Sequence, residues 1–338
     1  MTKSLGNEQN KIVWLSIIQG WAILLVVLGH VNLFTYSGVE NEMYPAGALV
    51  HRFCYSFHMP LFMFISGGLL YLTRLKRGFT TKNLYKDKFK RLALPFIFFT
   101  LVGFAIKVPF SSFTKRGVDI SVTGLLNSLW DPANGPLAEL WFVATLIWLM
   151  LFYPLYVAAF KSIWTEFLLL AVSALPLLFD LEMDITGWLN FADVFSFSFY
   201  FIGGMLFFKY DGVGSLEKRF WVTILLTALY LVVFIFYPVR LLVSILGILC
   251  SFGWGCAVAR RFPTLFSSFR DSSFQIFLVG IFPQMLLELF VWKRFHAEWM
   301  IPLFYAVSCV AALYCGHLTV KIVQRVRWRQ IRWLFGLK

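Results

Sequence analysis

Apolar runs long enough to cross a bilayer follow one another along nearly the whole of this 338-residue chain. A hydrocarbon core about 30 Å thick takes roughly 20 residues of helix, because each residue rises about 1.5 Å. Laid along the sequence, that ruler marks ten stretches, at residues 12–34, 46–73, 92–110, 139–160, 163–180, 186–208, 220–238, 241–259, 272–292 and 299–320. Water could not solvate such a surface, and the composition agrees: 59% of residues are hydrophobic and 14% charged, where soluble domains have about 45–50% and about 25%. Thirty-nine Phe, 13 Trp and 13 Tyr exclude a disordered, solvated chain. The expected fold is all-α, a polytopic membrane protein of ten transmembrane helices. No polar, Gly/Ser-rich or Pro-rich linker divides residues 1–338, so one domain is expected.

The basic residues orient this bundle. With the N-terminus in the cytoplasm, 23 of the 30 Lys and Arg fall in inner connections and termini and seven outside or near outer helix ends. That bias is what the positive-inside rule demands, and it needs an even number of crossings. Both termini are therefore expected in the cytoplasm, and the acidic group Asp180, Glu182 and Asp184 outside. The formal charge of +13 is explained by topology and anionic lipid, so nucleic acid is not an expected partner. The first apolar run is too long for a cleaved signal and is read as a retained helix. From Lys321 the sequence KIVQRVRWRQIRWLFGLK mixes cations with Trp328, Trp333 and Phe335, the pattern of a basic tail, 321–338, lying on the inner membrane surface. Residues 111–138 form the longest outer connection. Within it Val122–Trp130 reads as a short interfacial helix, and the loop as a lid, an acceptor-side wall or a passive connector. Cys54, Cys250, Cys256, Cys309 and Cys315 lie in or beside apolar runs without ligand spacing, so neither a disulfide framework nor a metal site is expected.

Ionisable and amide groups are costly inside a membrane, which makes each a candidate. Gln19 and His30 stand eleven residues apart on the first stretch. Eleven steps of about 100° bring them back to one helical face, about 16 Å apart along the axis. An imidazole is the usual side chain for moving a proton near neutral pH, as a hydroxyl nucleophile requires, although a structural histidine bonded to a neighbouring helix fits equally. In the second stretch His58 precedes Pro60, whose missing N–H frees a carbonyl that His58 could satisfy, and Gly67 and Gly68 permit close helix approach. The inner loop Arg74–Arg91 carries eight cations and one acid, Asp87. Its Lys88 and Arg91 could grip phosphates or serve topology alone. Glu139 and Trp141 open the fourth stretch, where the carboxylate could orient an imidazole or a sugar hydroxyl. Asp193 and Glu288 are further acids within apolar stretches, and each needs a partner.

IIQGWAILLVVLGH, FHMPLFMFISGGLLY from Phe57, KDKFKRLALPF from Lys86 and ELWFVATLIWLMLFYPLY from Glu139, in this order, resemble the acyltransferase-3 family of integral membrane acyltransferases. The resemblance covers essentially the whole chain. It implies an enzyme that transfers an acyl group other than aminoacyl, often acetyl, from cytoplasmic acyl-CoA as co-substrate to a hydroxyl of a cell-envelope carbohydrate or lipid-linked glycan. On that reading the protein sits in the cytoplasmic (inner) membrane among membrane lipids, without a metal and with room for a homo-oligomer. His30 matches the family's essential histidine, Lys88 and Arg91 its Arg-x-x-Arg pair, and Gln19 the place of a first-helix Arg. His58, Glu139 and Trp141 would serve substrate binding. Gly280 occupies about the place where many members have a His. The length leaves no room for the appended extracytoplasmic domain of some members. Two other readings fit the same bundle: a carrier or flippase for a lipid or oligosaccharide, and a member that binds without turnover, for which Gln19 is the motive.

Overall fold

Long aliphatic and aromatic runs without charges satisfy their backbone only by coiling, so helix follows helix here. In the computed structural model the described residues are 2–34, 43–107, 119, 121–179, 181, 187–237 and 239–337, with side chains described from residue 13. The helices are α1 (Thr2–Gly29), α2 (Pro45–Leu70), α3 (Thr81–Lys88), α4 (Leu94–Lys107), α5 (Val122–Trp130), α6 (Trp141–Leu151), α7 (Tyr153–Ala159) and α8 (Ile163–Leu178). They continue as α9 (Ala192–Lys209), α10 (Gly212–Lys218), α11 (Phe220–Phe236), α12 (Arg240–Arg261), α13 (Ser273–Val279), α14 (Ile281–Leu287), α15 (Ile301–Arg325) and α16 (Arg329–Leu334). Among the described residues no strand forms beyond one antiparallel bridge between Phe34 and Met43. Asp180, Glu182 and Asp184, and residues 111–118 of the long connection, lie outside the described residues.

Each expected apolar stretch holds a helix, but not each holds a single straight one. Pro45–Leu75, Thr81–Lys107, Ala192–Lys209, Arg240–Arg261 and Glu298–Arg325 are by themselves long and apolar enough to cross a membrane. Three bent pairs raise the number from five to as many as eight: Ala138–Leu151 with Tyr153–Ala159 (47°), Gly212–Lys218 with Phe220–Phe236 (98°), and Arg270–Val279 with Ile281–Trp292 (55°). Val13–Gly29 and Ile163–Leu178 are shorter apolar helices. The breaks have chemical causes. Pro154 and Pro283 each lack the N–H that an unbroken helix needs. Conversely, the basic inner loop is helical in its second half, because Leu84 buries its side chain and Thr81–Lys88 runs through a π turn, Phe89–Ala93, into α4.

The outward faces are the evidence for lipid. On α15 the side chains of Leu303, Val307, Val310, Tyr314, Leu318 and Ile322 are all exposed. Spaced by three or four residues, they make one apolar stripe along the helix, and Trp164, Leu168, Leu175 and Leu178 form another exposed apolar face on α8. Water would penalise such stripes. A bilayer removes the penalty.

The chain divides into two compact units, one from Met1–Phe62 and Asp211–Ile322, the other from Met63–Tyr210 and Val323–Lys338. In the first unit α12 is the hub. Side chains at Gly247, Gly253 and Gly255 would overlap Phe57, Thr223 and Ile18, so α2, α11 and α1 all approach it closely. Trp21 Nε1 donates to Ser251 Oγ at 3.2 Å. In the second unit the C-terminal half of α2 crosses α9 backbone to backbone: Gly67 lies against the Phe201 carbonyl and Gly204 against the Phe64 carbonyl. There too, fully buried Glu166 on α8 pairs with Lys209 and accepts from the Tyr210 hydroxyl at 2.8 Å. The expected tail begins later than Lys321, since nothing in KIVQR breaks α15 before Arg325. It does not simply lie on a surface: α16 packs on α4 and on the π turn before it.

Candidate active site

The first helix stops at Gly29, not at 34, and this places His30 on its C-terminal edge. The His30 backbone N–H still donates to the Val26 carbonyl at 3.1 Å, while Val31 N turns to Leu28 O at 3.3 Å, which frees the Val27 carbonyl. Gln284 Nε2, from α14, donates to that freed oxygen at 2.8 Å. The imidazole is fixed in the same turn, with Nδ1 2.7 Å from the Val26 oxygen. A carbonyl only accepts, so Nδ1 carries a proton, and in the neutral ring the lone pair is on Nε2. Asn32 Nδ2, just beyond, donates to Glu288 Oε2 at 3.3 Å, which supplies a partner for that half-buried acid.

A second histidine repeats the arrangement. His58 is 1% exposed and its Nδ1 lies 2.7 Å from the Cys54 carbonyl, four residues earlier, as His30 does with Val26. The carbonyl that Pro60 frees, Ser56 O, is taken instead by Ser244 Oγ at 2.8 Å, a hydroxyl on α12 that sits opposite it. Between the imidazoles stands Tyr55. Its ring stacks on His51 (3.9 Å, 20°), meets His58 edge-on (4.7 Å, 70°) and lies 6.1 Å from His30. Sequence reasoning picked His30 and His58 and missed His51 and Tyr55. The signal was present: positions 51, 55 and 58 follow the four-three spacing of one helical face.

Gln19 is half-buried, three turns before His30 along α1. The following residue, Gly20, has no side chain because Phe266 and Arg270 occupy the space: a Cβ would stand 2.8 Å and 3.0 Å from their Cβ atoms. Arg270 donates through Nη1 to the carbonyls of Pro263 (2.8 Å) and Leu265 (3.0 Å), and its Nε is buried without a partner. A guanidinium thus stands beside this turn, contributed by a segment some 250 residues away in sequence, too far for any local pattern to reveal. Elsewhere in the same unit Trp21, Phe57, Tyr230 and Trp254 line an uncharged cavity of about 390 Å³. Trp254 Nε1 is already engaged with Thr227 Oγ1 at 3.0 Å.

In the second unit Arg74 pairs with Asp87 at 2.8 Å. Lys88 and Arg91 lie close enough to that pair and to each other for their charges to interact, yet neither forms an ion pair among the described residues. Glu139 occupies a 3₁₀ turn, Ala138–Leu140, ahead of Trp141, whose ring packs on Phe197 at 5.3 Å. Asp193 accepts from Asn190 Nδ2 at 2.7 Å. Among the described residues no three His, Cys, Asp or Glu side chains gather as a metal site.

A family model described as an acyltransferase domain, acyltransferase-3, matches residues 12–320. The chain belongs to the acyltransferase-3 family. No curated protein and no solved structure matches it. As an acyltransferase-3 member it falls among the membrane acyltransferases, in keeping with its all-helical fold and lipid-facing stripes. The acyltransferase-3 match runs through α1, α2, the basic turn and α15, so one family pattern takes in every candidate residue named from the sequence. At Gly280 the geometry is specific. The residue sits at the 55° bend, and a Cβ there would press on the Ile276 carbonyl at 2.6 Å and on Ala312 Cβ at 3.3 Å. No side chain fits without moving α13 or α15. The bend in turn aims Gln284 at α1.

Proposed function

We propose that this protein is an O-acyltransferase of the cytoplasmic membrane that moves an acyl group, acetyl in the simplest case, from acyl-CoA to a hydroxyl of a cell-envelope carbohydrate or lipid-linked glycan. The observation that carries the reading is the tautomer of His30: Nδ1 spends its proton on a backbone carbonyl and Nε2 is left as a base. The His30 Nε2 takes the acceptor's hydroxyl proton as the oxygen attacks the thioester carbonyl. The tetrahedral adduct then expels the CoA thiolate, which receives that proton from the imidazolium, giving ester and free thiol. Lys88 and Arg91 grip the donor's phosphates, and Gln19 donates an amide hydrogen bond to the donor. His58, Glu139 and Trp141 serve the acceptor, the enclosed His58 acting through the Tyr55 ring. The uncharged cavity is suited to an aliphatic tail, which favours a lipid-linked acceptor. The reading includes ten crossings in one domain, with both termini cytoplasmic.

Purified protein in nanodiscs, given labelled acetyl-CoA and a lipid-linked glycan fraction, should pass label to the glycan. His30→Ala should reduce the rate by about 10²–10⁴ while keeping its unfolding temperature. Wild-type transfer by that variant would remove His30 from the mechanism.

A further inference from the structure

The C-terminal helix α16 does something that a surface tail need not do. Its Trp333 ring receives two cations, Lys90 Nζ at 4.1 Å from the centroid and Arg329 Cζ at 5.5 Å. Phe335, just past the helix, packs on Phe98 at 5.6 Å and Phe99 at 5.5 Å, so the segment is seated on α4 by aromatic contacts and not by charge. Lys90 belongs to the π turn Phe89–Ala93, which also holds Arg91. Docking α16 there sets like charges close together, an arrangement that repels itself unless an anion is present.

Among the described residues no carboxylate supplies that anion. The loop's only acid, Asp87, is held by Arg74, and Lys90, Arg91, Arg329 and Arg332 form no ion pair among the described residues. Arg332, one residue before Trp333, has its Nε buried with no hydrogen-bond partner. A buried guanidinium N–H left without an acceptor is costly, and the group that would satisfy it must bring an oxygen from outside the described residues. We propose that α16 and the turn at 89–93 together form a phosphate-binding site, with Trp333 holding Lys90 and Arg329 beside Arg91 and with Arg332 completing it. Its ligand is a phosphate ester, carried either by a CoA donor or by an anionic lipid headgroup. The CoA arm rests on the donor reading of Lys88 and Arg91 given above; the site itself does not. Guanidinium suits the role, since its planar fork matches a phosphate and its face stacks on indole.

The test uses the full-length protein in phosphatidylcholine nanodiscs, with CoA affinity read by calorimetry. Phosphatidylglycerol retention is read separately by native mass spectrometry. Arg332→Gln should weaken CoA binding about tenfold, the scale of one lost charge-assisted contact, and Trp333→Leu should do the same by releasing two cations. Both should keep the wild-type unfolding temperature, and should Trp333→Leu fail to fold, Arg332→Gln decides alone. Lys321→Gln, a cation outside the site, should change neither readout. If Arg332→Gln loses phosphatidylglycerol but binds CoA normally, the phosphate site stands with lipid as its source. If it binds both as wild type does, the proposal is overturned. Unchanged CoA affinity in a Lys88→Ala/Arg91→Ala double variant would instead refute the donor reading and with it the CoA arm, and phosphatidylglycerol retention by Arg332→Gln then decides the site alone.

Discussion

At position 30 a backbone carbonyl decides which ring nitrogen can act as a base, and the neighbouring carbonyl, freed where the helix ends, ties that turn to α14. Gln284 restrains the second of these, so Gln284→Leu should lower kcat about tenfold with KM for acyl-CoA unchanged, because the base is misplaced while donor contacts survive. A steady-state assay separates the two constants. Tyr55 gives a sharper comparison. Its ring meets His30, His51 and His58, so Tyr55→Phe should retain activity and Tyr55→Leu should lose most of it. Equal loss in both would assign the role to the hydroxyl. His30 was legible in the sequence as an imidazole stranded in an apolar run, and its family match sharpened that. Arg270 and Gln284 were not legible, since a residue's reach across hundreds of positions has no local signature.

Among the elements, the helices themselves were the easiest to read, because hydrophobic length alone specifies them in a bilayer. Their interruptions were harder. Pro154 and Pro283 were visible, but a proline marks only where a helix loses a bond and not how far the chain turns. Val122–Trp130 was legible as a short helix, since Ser121 caps it and Asp131 and Pro132 end it. The close crossing of α2 and α9 rests on two glycines. Gly67→Ala would drive a methyl group into the Phe201 carbonyl and should cost about 1–3 kcal/mol, seen as a lower unfolding temperature in detergent. Glu166→Leu tests a different fastening. It strands Lys209 against α8 and should destabilise by about 3 kcal/mol, whereas Glu166→Gln should cost less by keeping the hydrogen bond from Tyr210. Intrinsic fluorescence melting in detergent would rank the two.

At the scale of the whole molecule, composition showed that the chain lives in lipid and charge bias suggested its orientation, but neither showed that each of its compact units is assembled from distant parts of the sequence. Helix propensity and hydropathy are local quantities, while the pairing of α1 with α12 depends on glycines that look unremarkable where they stand. The bond from Trp21 to Ser251 joins residues 230 positions apart. At roughly 5–20 residues per second of synthesis, the ribosome needs roughly 10–50 s to deliver the second partner after the first. Through that interval the opening helix waits without the neighbour whose Gly255 will pack against Ile18. Nascent chains arrested before residue 240 should therefore be the ones that insertion chaperones hold and membrane proteases clear, and release should follow abruptly once the eighth apolar stretch has entered the bilayer.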